Sequence, residues 1–287
     1  MQNLSPPASE TPMLEFLLAA LAPMNRTRVK QLLRSGRVVV NGASVTRHDH
    51  TVRPADKVGV AREAPPAPPS ASGLEIVHED AHLVVIDKPS GLLTVATESE
   101  KLDTAFVRLS DYLRARNAGR PFVVHRLDRD TSGLLLFARS AEVRDQLQGN
   151  WEELTKTYLA VVEGRPESSE GGVENYLTEG RDLRVRASPR PGPDGKRAAS
   201  RYTVRQTRGG YSLVEVEIET GRKHQIRVHL AGLGCPVAGD KMYGATTDPV
   251  RRLGLHAWRL SFDHPFTLER LELEAPLPSA LARIVGL

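Results

Sequence analysis

Cysteine is nearly absent from the 287-residue sequence, with Cys235 the single one. That excludes an internal disulfide framework, fits a reducing cytoplasm, and rules out structural zinc held by a cysteine cluster. Long apolar runs are missing too. The longest, Phe16 to Met24, falls far short of the ~20 residues that cross a bilayer, so no membrane partner is expected. The opening MQNLSPPASETP has no basic segment leading into an apolar one, so it does not read as a secretory signal and a cytoplasmic location is expected. No internal period of about 20–50 residues marks a solenoid. What is present is the composition of a folded chain, 40% hydrophobic and 26% charged, with enough apolar material for a sizeable core.

The net charge of +4 is unevenly placed. Arg26, Arg28, Lys30, Arg34, Arg37, Arg47, Arg53 and Lys57 face only Glu15, Asp49 and Asp56 across residues 13–60, whereas the rest of the chain is nearly neutral. A localised basic patch is the footprint of a nucleic-acid-binding module. Composition also divides the chain. Residues 1–12, with three prolines and no periodicity, are expected to form a disordered tail, and residues 61–73, AREAPPAPPSASG, an extended linker. The expected domains are 13–60 and 74–287.

In the small domain, Leu14, Leu17, Leu18 and Leu21 suit a short amphipathic helix ended by Pro23. Asn25 can cap a second helix with Val29, Leu32 and Leu33 inward and Arg26, Arg28, Lys30 and Arg34 outward, ended at Gly36. RVVVNG then ASV reads as a hairpin with an Asn41-Gly42 turn. A solvated face would explain the basic helix alone. The order helix, basic helix, Val-Val-Val-Asn-Gly hairpin resembles the S-four (alpha-L) RNA-binding domain, and that resemblance implies that Arg26, Arg28, Lys30, Arg34 and Arg37 contact RNA.

In the large domain, residues 83–87, 133–139, 157–163 and 211–219 are strand-like, while 140–154, with Ser140 as N-cap, and 222–231 suit helices. Strands do not alternate regularly with helices, so the expected class is α+β with a mixed, largely antiparallel sheet.

One segment carries the chemistry: VVHRLDRDTSGLLLFARS, residues 123–140. Polar residues packed between apolar strands are expensive unless used. Asp128, Asp130, Ser132 and Gly133 copy the start of a calcium loop, but Arg139 stands where its bidentate Glu must be, so calcium fails. A structural turn with a local Arg–Asp pair and a catalytic carboxylate beside an arginine both remain open on these residues alone. His125 through Gly133 resembles the signature of the RluA-type RNA pseudouridine synthases. IDKPSGLL (86–93), KTYLA (156–160), TGRKHQIRVHLAGLGCPVAGDKMYG (220–244) and LHAWRLSFDHP (255–265) are similar to that family's remaining motifs, in its order.

The resemblance implies the family's α+β catalytic domain and a cofactor-independent isomerase that turns specific uridines of RNA into pseudouridine. Asp128 would be the catalytic aspartate, Arg227 its partner, and Tyr158 the surface on which the target base stacks. Arg126 would help fill the space of the flipped nucleotide, and Lys156 would lie near phosphate or the edge of the site. Physics makes these roles coherent. The carboxylate must keep its charge while buried against a base, and an adjacent permanent guanidinium favours that. A tyrosine offers a flat surface, and a paired base must be flipped out to be reached.

Other residues read blandly. His125 is a hydrogen-bonded structural histidine; His224 and His229 lie about 140° apart around a helix and cannot share a metal. Lys88 shows no obvious chemistry. Residues 181–201, rich in Pro, Gly and basic side chains, read as a surface loop that either touches RNA or is merely solvated. Ribosomal RNA is the favoured substrate, transfer RNA remains open, and the protein is expected to be a monomer. The competing functions are a catalytically silent RNA-binding or ribosome assembly factor, which an intact Asp128, Arg227 and Tyr158 argue against, and a carboxylate hydrolase, which lacks a second acid.

Overall fold

The computed structural model describes residues 2–34, 37–41, 43–45, 50–61, 73–98 and 100–287. The chain divides into two compact units, 1–72 and 73–287. Most of the expected 61–73 linker lies outside the described residues.

The first unit runs β1 (Gln2–Leu4), β2 (Thr11–Pro12), α1 (Met13–Ala20), α2 (Arg26–Arg34), β3 (Val38–Val40), β4 (Ala43–Ser44), β5 (Thr51–Val52) and β6 (Val58–Val60). Leu14, Leu17, Val29, Leu32 and Leu33 pack on Val38, Val40 and Val58, so the apolar periodicity of both helices is spent on one core. Asn25 caps α2 as expected, its Oδ1 accepting the Arg28 N–H at 2.9 Å. The four-stranded sheet has the order β1-β6-β3-β4, and β2 pairs with β5. Residues 1–12 were expected to be a disordered tail; instead β1 adds to the edge of β6 and β2 to β5. The correction has a backbone cause: an unpaired strand edge accepts any extended segment that can satisfy its N–H and C=O groups, whatever its side chains. Gly36 and Gly42, read as helix end and turn, lie outside the described residues.

The second unit continues with β7 (Glu75–Glu79), β8 (Leu83–Lys88), α3 (Ala105–Ala115), β9 (Phe122–Val123), β10 (Ser132–Ala138), α4 (Ala141–Gly149), β11 (Thr155–Glu163), β12 (Glu170–Glu179), β13 (Val185–Ser188), β14 (Lys196–Arg208), β15 (Tyr211–Ile218), α5 (Gln225–Gly232), β16 (Leu255–Asp263), β17 (Arg270–Glu274) and α6 (Ser279–Val285). An eleven-stranded sheet of order β13-β12-β14-β15-β11-β16-β10-β8-β7 forms its frame, with β17 on β16 and β9 on β10. Every pairing is antiparallel except β10 with β16. The class is therefore α+β with a mixed, largely antiparallel sheet, as the sequence implies.

Ser140 caps α4, its Oγ accepting the Val143 N–H, but the helix stops at Gly149 and Trp151–Glu153 form a separate tight turn. The helix expected over 222–231 starts three residues later. The Gln225 side chain accepts from Thr220 Oγ1 and the Arg222 N–H and donates to Ala199 O and Ser200 Oγ, which holds residues 220–224 in a turn. The 181–201 stretch is a second correction: β13 and the start of β14 lie within it, both paired to β12. Of its arginines, Arg186, Arg197 and Arg201 are exposed residues of strands, and Arg186 and Arg197 pair with Asp182 and Glu174. Among the described residues no helix is long and apolar enough to cross a membrane.

The parallel contact brings three strands into line. Ser132 and Gly133 pair with His256 and Ala257, and Ala257 pairs in turn with Tyr158 on β11, so Gly133, Ala257 and Tyr158 form one row. A register shift between Thr157 and Tyr158 breaks the β11–β16 ladder there, and such irregularities re-aim a side chain.

Candidate active site

Asp128 stands in the loop between β9 and β10, and that loop is bolted down from both sides. On one side lies the segment after β8. Thr94 Oγ1 donates to Leu127 O at 2.9 Å and accepts the Leu127 N–H at 3.1 Å, gripping the residue just before Asp128. Lys88, wholly buried, donates its ammonium to Pro89 O, Leu92 O and Arg129 O at 2.8–3.0 Å. Ser90 Oγ donates to Asp130 O, and Arg129 and Gly91 exchange hydrogen bonds. On the other side, Arg252 donates to Ser132 Oγ at 2.7 Å. Ser132 in turn meets His256 Nδ1 at 2.8 Å, while His256 Nε2 donates to Ala275 O. Burial pulls His256 down to about 4, so the ring is neutral, and with Nε2 donating, Nδ1 must be the acceptor. Lys88 read as chemically silent, and it is the central bolt of this bracket. Burial pulls its amine down to about 7, with Asp130 and Asp128 pulling the other way. Lys88→Met removes the donor shared by three carbonyls, and urea unfolding should show a loss of about 3 kcal/mol.

The α5 side supplies the charge partners. Arg227 Nη1 lies 3.4 Å from Asp128 Oδ2, but its tighter bonds are to Asp240, Nε to Oδ2 at 2.6 Å and Nη2 to Oδ1 at 2.9 Å. Asp240 is nearly inaccessible, with 1% of its side chain exposed. Burial alone would disfavour the Arg227 charge, yet the Asp240 hydrogen bonds, with Asp128 nearby, hold the guanidinium above its ordinary value. Sequence reading paired Arg227 with Asp128 and missed Asp240, which sits in the GDKMYG stretch without any local pattern to mark it as the arginine's anchor. Such a fork-to-fork pair fixes the plane of the guanidinium and points its remaining nitrogen at Asp128. No donor among the described residues lies on the other Asp128 oxygen, Oδ1.

Asp128 and Arg227 line a cleft of about 850 Å³, within the roughly 300–1,000 Å³ of small-ligand sites. Tyr158 is on its wall with a hydroxyl that bonds to no described residue. Burial, and then the Asp128 charge, push its phenol above the ordinary range, so it stays neutral. Arg126 is exposed at the same cleft. His125 lines it too, but its Nε2 accepts the Leu136 N–H and burial pulls it down to about 3, the structural histidine that its sequence context implies.

Lys156, expected near phosphate or the edge of the site, is 3% exposed; its ammonium donates to Trp151 O at 2.7 Å and lies 4.9 Å from the ring centroid of Trp151, itself a lining residue of the cleft. Burial pulls it down to about 8. It orders the turn after α4 instead of reaching outward, because a lysine on a strand flanked by that turn finds a carbonyl closer than solvent. In the first unit, Arg26, Arg28 and Lys30 are exposed, and no carboxylate among the described residues pairs with them. Arg37 donates through Nε to Ala61 O, and the Arg34 side chain lies outside the described residues.

A carboxylate beside a fixed guanidinium, with a neutral tyrosine lining the same cleft, is an arrangement suited to acid–base or nucleophilic chemistry. The comparisons with known proteins specify the family. The RNA pseudouridylate synthase family model matches residues 82–232. Over 281 residues the chain is 35% identical to the Uncharacterized RNA pseudouridine synthase YlyB of Bacillus subtilis, covering 94% of this chain and 92% of that one. It is 33% identical to the Ribosomal large subunit pseudouridine synthase D of Xanthomonas campestris, covering 95% and 87%. Among solved structures, Human RNA Pseudouridylate Synthase Domain Containing 4 superposes with a TM-score of 0.63 at 26% identity, covering 75% of this chain and 95% of that one. The chain belongs to the RNA pseudouridine synthase family, of the RluA type, and is an RNA pseudouridine synthase.

Proposed function

We propose that Asp128 is the catalytic carboxylate that converts a flipped-out uridine of ribosomal RNA to pseudouridine. The observation that carries the reading is the asymmetry of its two oxygens: Oδ2 lies 3.4 Å from Arg227 Nη1, whereas no donor among the described residues reaches Oδ1, and Asp128 and Tyr158 line the same cleft. The reaction breaks the bond from ribose C1′ to uracil N1, turns the base and joins C1′ to C5. The C5 proton leaves and N1 gains one, so substrate and product contain the same atoms and no co-reactant is consumed. Each route open to the carboxylate, attack on C1′, addition to the base or removal of a ribose proton, needs an oxygen free of protein donors, and no donor among the described residues reaches Oδ1. Tyr158 supplies a face for the base, and Arg126 occupies the gap the nucleotide leaves, since a paired uridine reaches such a cleft only by leaving its stack.

Ribosomal RNA is favoured because the Xanthomonas relative is named for the large ribosomal subunit. Mapping pseudouridines in RNA from cells with and without this protein tests the assignment. Loss of one or a few pseudouridines in ribosomal RNA is the expected result; loss confined to transfer RNA would replace the substrate, and no loss anywhere would remove the reading.

The first unit serves as a separate RNA-binding module in this proposal, supported by the exposed Arg26, Arg28 and Lys30, which pair with no carboxylate among the described residues. Each phosphate it neutralises adds about 0.7–0.9 to the log–log salt slope of binding. Deleting residues 1–72 should weaken RNA binding and flatten that slope, while the single-turnover rate at saturating RNA falls much less. An unchanged slope would reduce the basic helix to a solvated face.

A further inference from the structure

Among the polar residues to which the proposed reaction gives no task are His224, on the cleft wall, and Tyr243 behind it. His224 holds φ 54°, left-handed backbone that non-glycine residues adopt at some energetic cost, directly before α5. Its ring stands edge-on to the Tyr243 ring, and its Nδ1 is 2.8 Å from the Tyr243 hydroxyl. That hydroxyl is enclosed, with Tyr243 8% exposed, and its oxygen accepts the Val185 N–H at 3.0 Å. The hydroxyl hydrogen needs an acceptor of its own, and among the described residues its partner is His224 Nδ1. A neutral imidazole that accepts at Nδ1 carries its hydrogen on Nε2. Burial, opposed by Asp128 and then reinforced by the charges of Arg227 and Lys223, leaves His224 below its ordinary value, which favours that neutral ring.

His224 Nε2 lies 3.9 Å from Asp128 Oδ2, the same oxygen that Arg227 Nη1 approaches at 3.4 Å. Two N–H donors thus converge on one carboxylate oxygen and, among the described residues, none on the other. We propose that His224 is a positioning residue whose Nε2–H, selected by the Tyr243 hydroxyl, holds Asp128 by Oδ2 and so presents Oδ1 to the uridine. The gap of 3.9 Å exceeds a hydrogen bond and closes when the base fills the cleft, as bonds at active sites commonly tighten on substrate binding. The inference rests on the reading of Asp128 as the catalytic carboxylate.

Two substitutions at one position separate this role from a structural one. His224→Gln can place an N–H where Nε2 stands. His224→Asn can keep a polar atom where Nδ1 stands and tolerates left-handed backbone better than most residues, but it falls short of Asp128. Single-turnover rates at saturating RNA should fall less than about 5-fold for Gln and about 30-fold for Asn, with RNA Kd for both within about 3-fold of wild type. Tyr243→Phe, which removes only the tautomer-setting hydroxyl, should slow the reaction about 5- to 10-fold without changing Kd. A full rate for Asn, the reverse order with Asn faster than Gln, or a loss confined to Kd would overturn the proposal. Should both His224 variants fail to fold, a full rate for Tyr243→Phe overturns it equally. Asp128→Asn, measured alongside, keeps the two readings apart. If it is inactive while His224→Asn runs at full rate, only the positioning role fails; if it turns over, the assignment of Asp128 fails first.

Discussion

Asp128→Asn is expected to lose turnover by about 10³-fold or more while binding RNA within about 3-fold of wild type. Asparagine keeps the size and shape of the side chain, and its carbonyl oxygen can take the place of Oδ2 before Arg227 Nη1. The cleft then presents an amide N–H₂ where Oδ1 stood, a group that neither attacks carbon nor takes a proton. The neighbours should hardly move. Arg227 keeps its two bonds to Asp240, and the loop stays bolted by Thr94, Lys88 and Ser90, none of which touches the carboxylate. Single-turnover assays with a short substrate RNA, beside a filter-binding titration, read both quantities. Turnover within about 10-fold of wild type would show that another group does the chemistry.

Gly133→Ala is expected to be the most damaging conservative change in the second unit. Gly133 holds φ 112°, and a Cβ added there would stand 2.2 Å from Ala257 O and 2.6 Å from Ala257 N. Those are backbone atoms of the parallel partner strand and cannot swing aside as a flexible side chain would. The strands would have to part at the point where Gly133, Ala257 and Tyr158 align, directly after the Asp128 loop. A loss of about 4 kcal/mol or more is expected, seen as a Tm lower by about 10 °C or as failure to accumulate folded protein. Gly149→Ala is the control: nothing lies within 4 Å of its added Cβ, its φ is ordinary, and it ends α4, so Tm should hold or rise slightly. Equal stability of the two variants would mean that β10 and β16 do not approach this closely.

Much of the architecture was legible because its causes are local. Ser140 and Asn25 cap helices through bonds to N–H groups three residues on, and the alternation of residues 214–218 reflects one strand with Val214, Val216 and Ile218 buried and Glu215 and Glu217 on the other side. Asp128, Arg227 and Tyr158, chosen by motif, do line one cleft. What failed were inferences from side-chain character about segments whose partners are remote. The proline-containing N-terminus looked unstructured, yet β1 pairs with Val58–Val60. Lys156 looked like a charge near phosphate or the edge of the site, and its ammonium is turned to the Trp151 carbonyl. The basic stretch 181–201 looked like a loop, and strand pairing absorbs much of it.

The sequence by itself determined several of the helices and strands, the concentration of basic charge in residues 13–60, and the short motifs that mark the chemistry, because capping, periodicity and turn formation act across a few residues. Only the tertiary structure decided how the catalytic loop is held. Lys88 reaches Arg129 O across 41 positions, Thr94 grips Leu127 across 33, and Arg252 supports Ser132 across 120. It also decided that Arg227 answers first to Asp240 and that Asp128 has one engaged oxygen and one open one. The physical reason is that a buried polar group must find a partner wherever the folded chain brings one within about 3 Å, and that choice is made by packing in space, not by spacing along the chain.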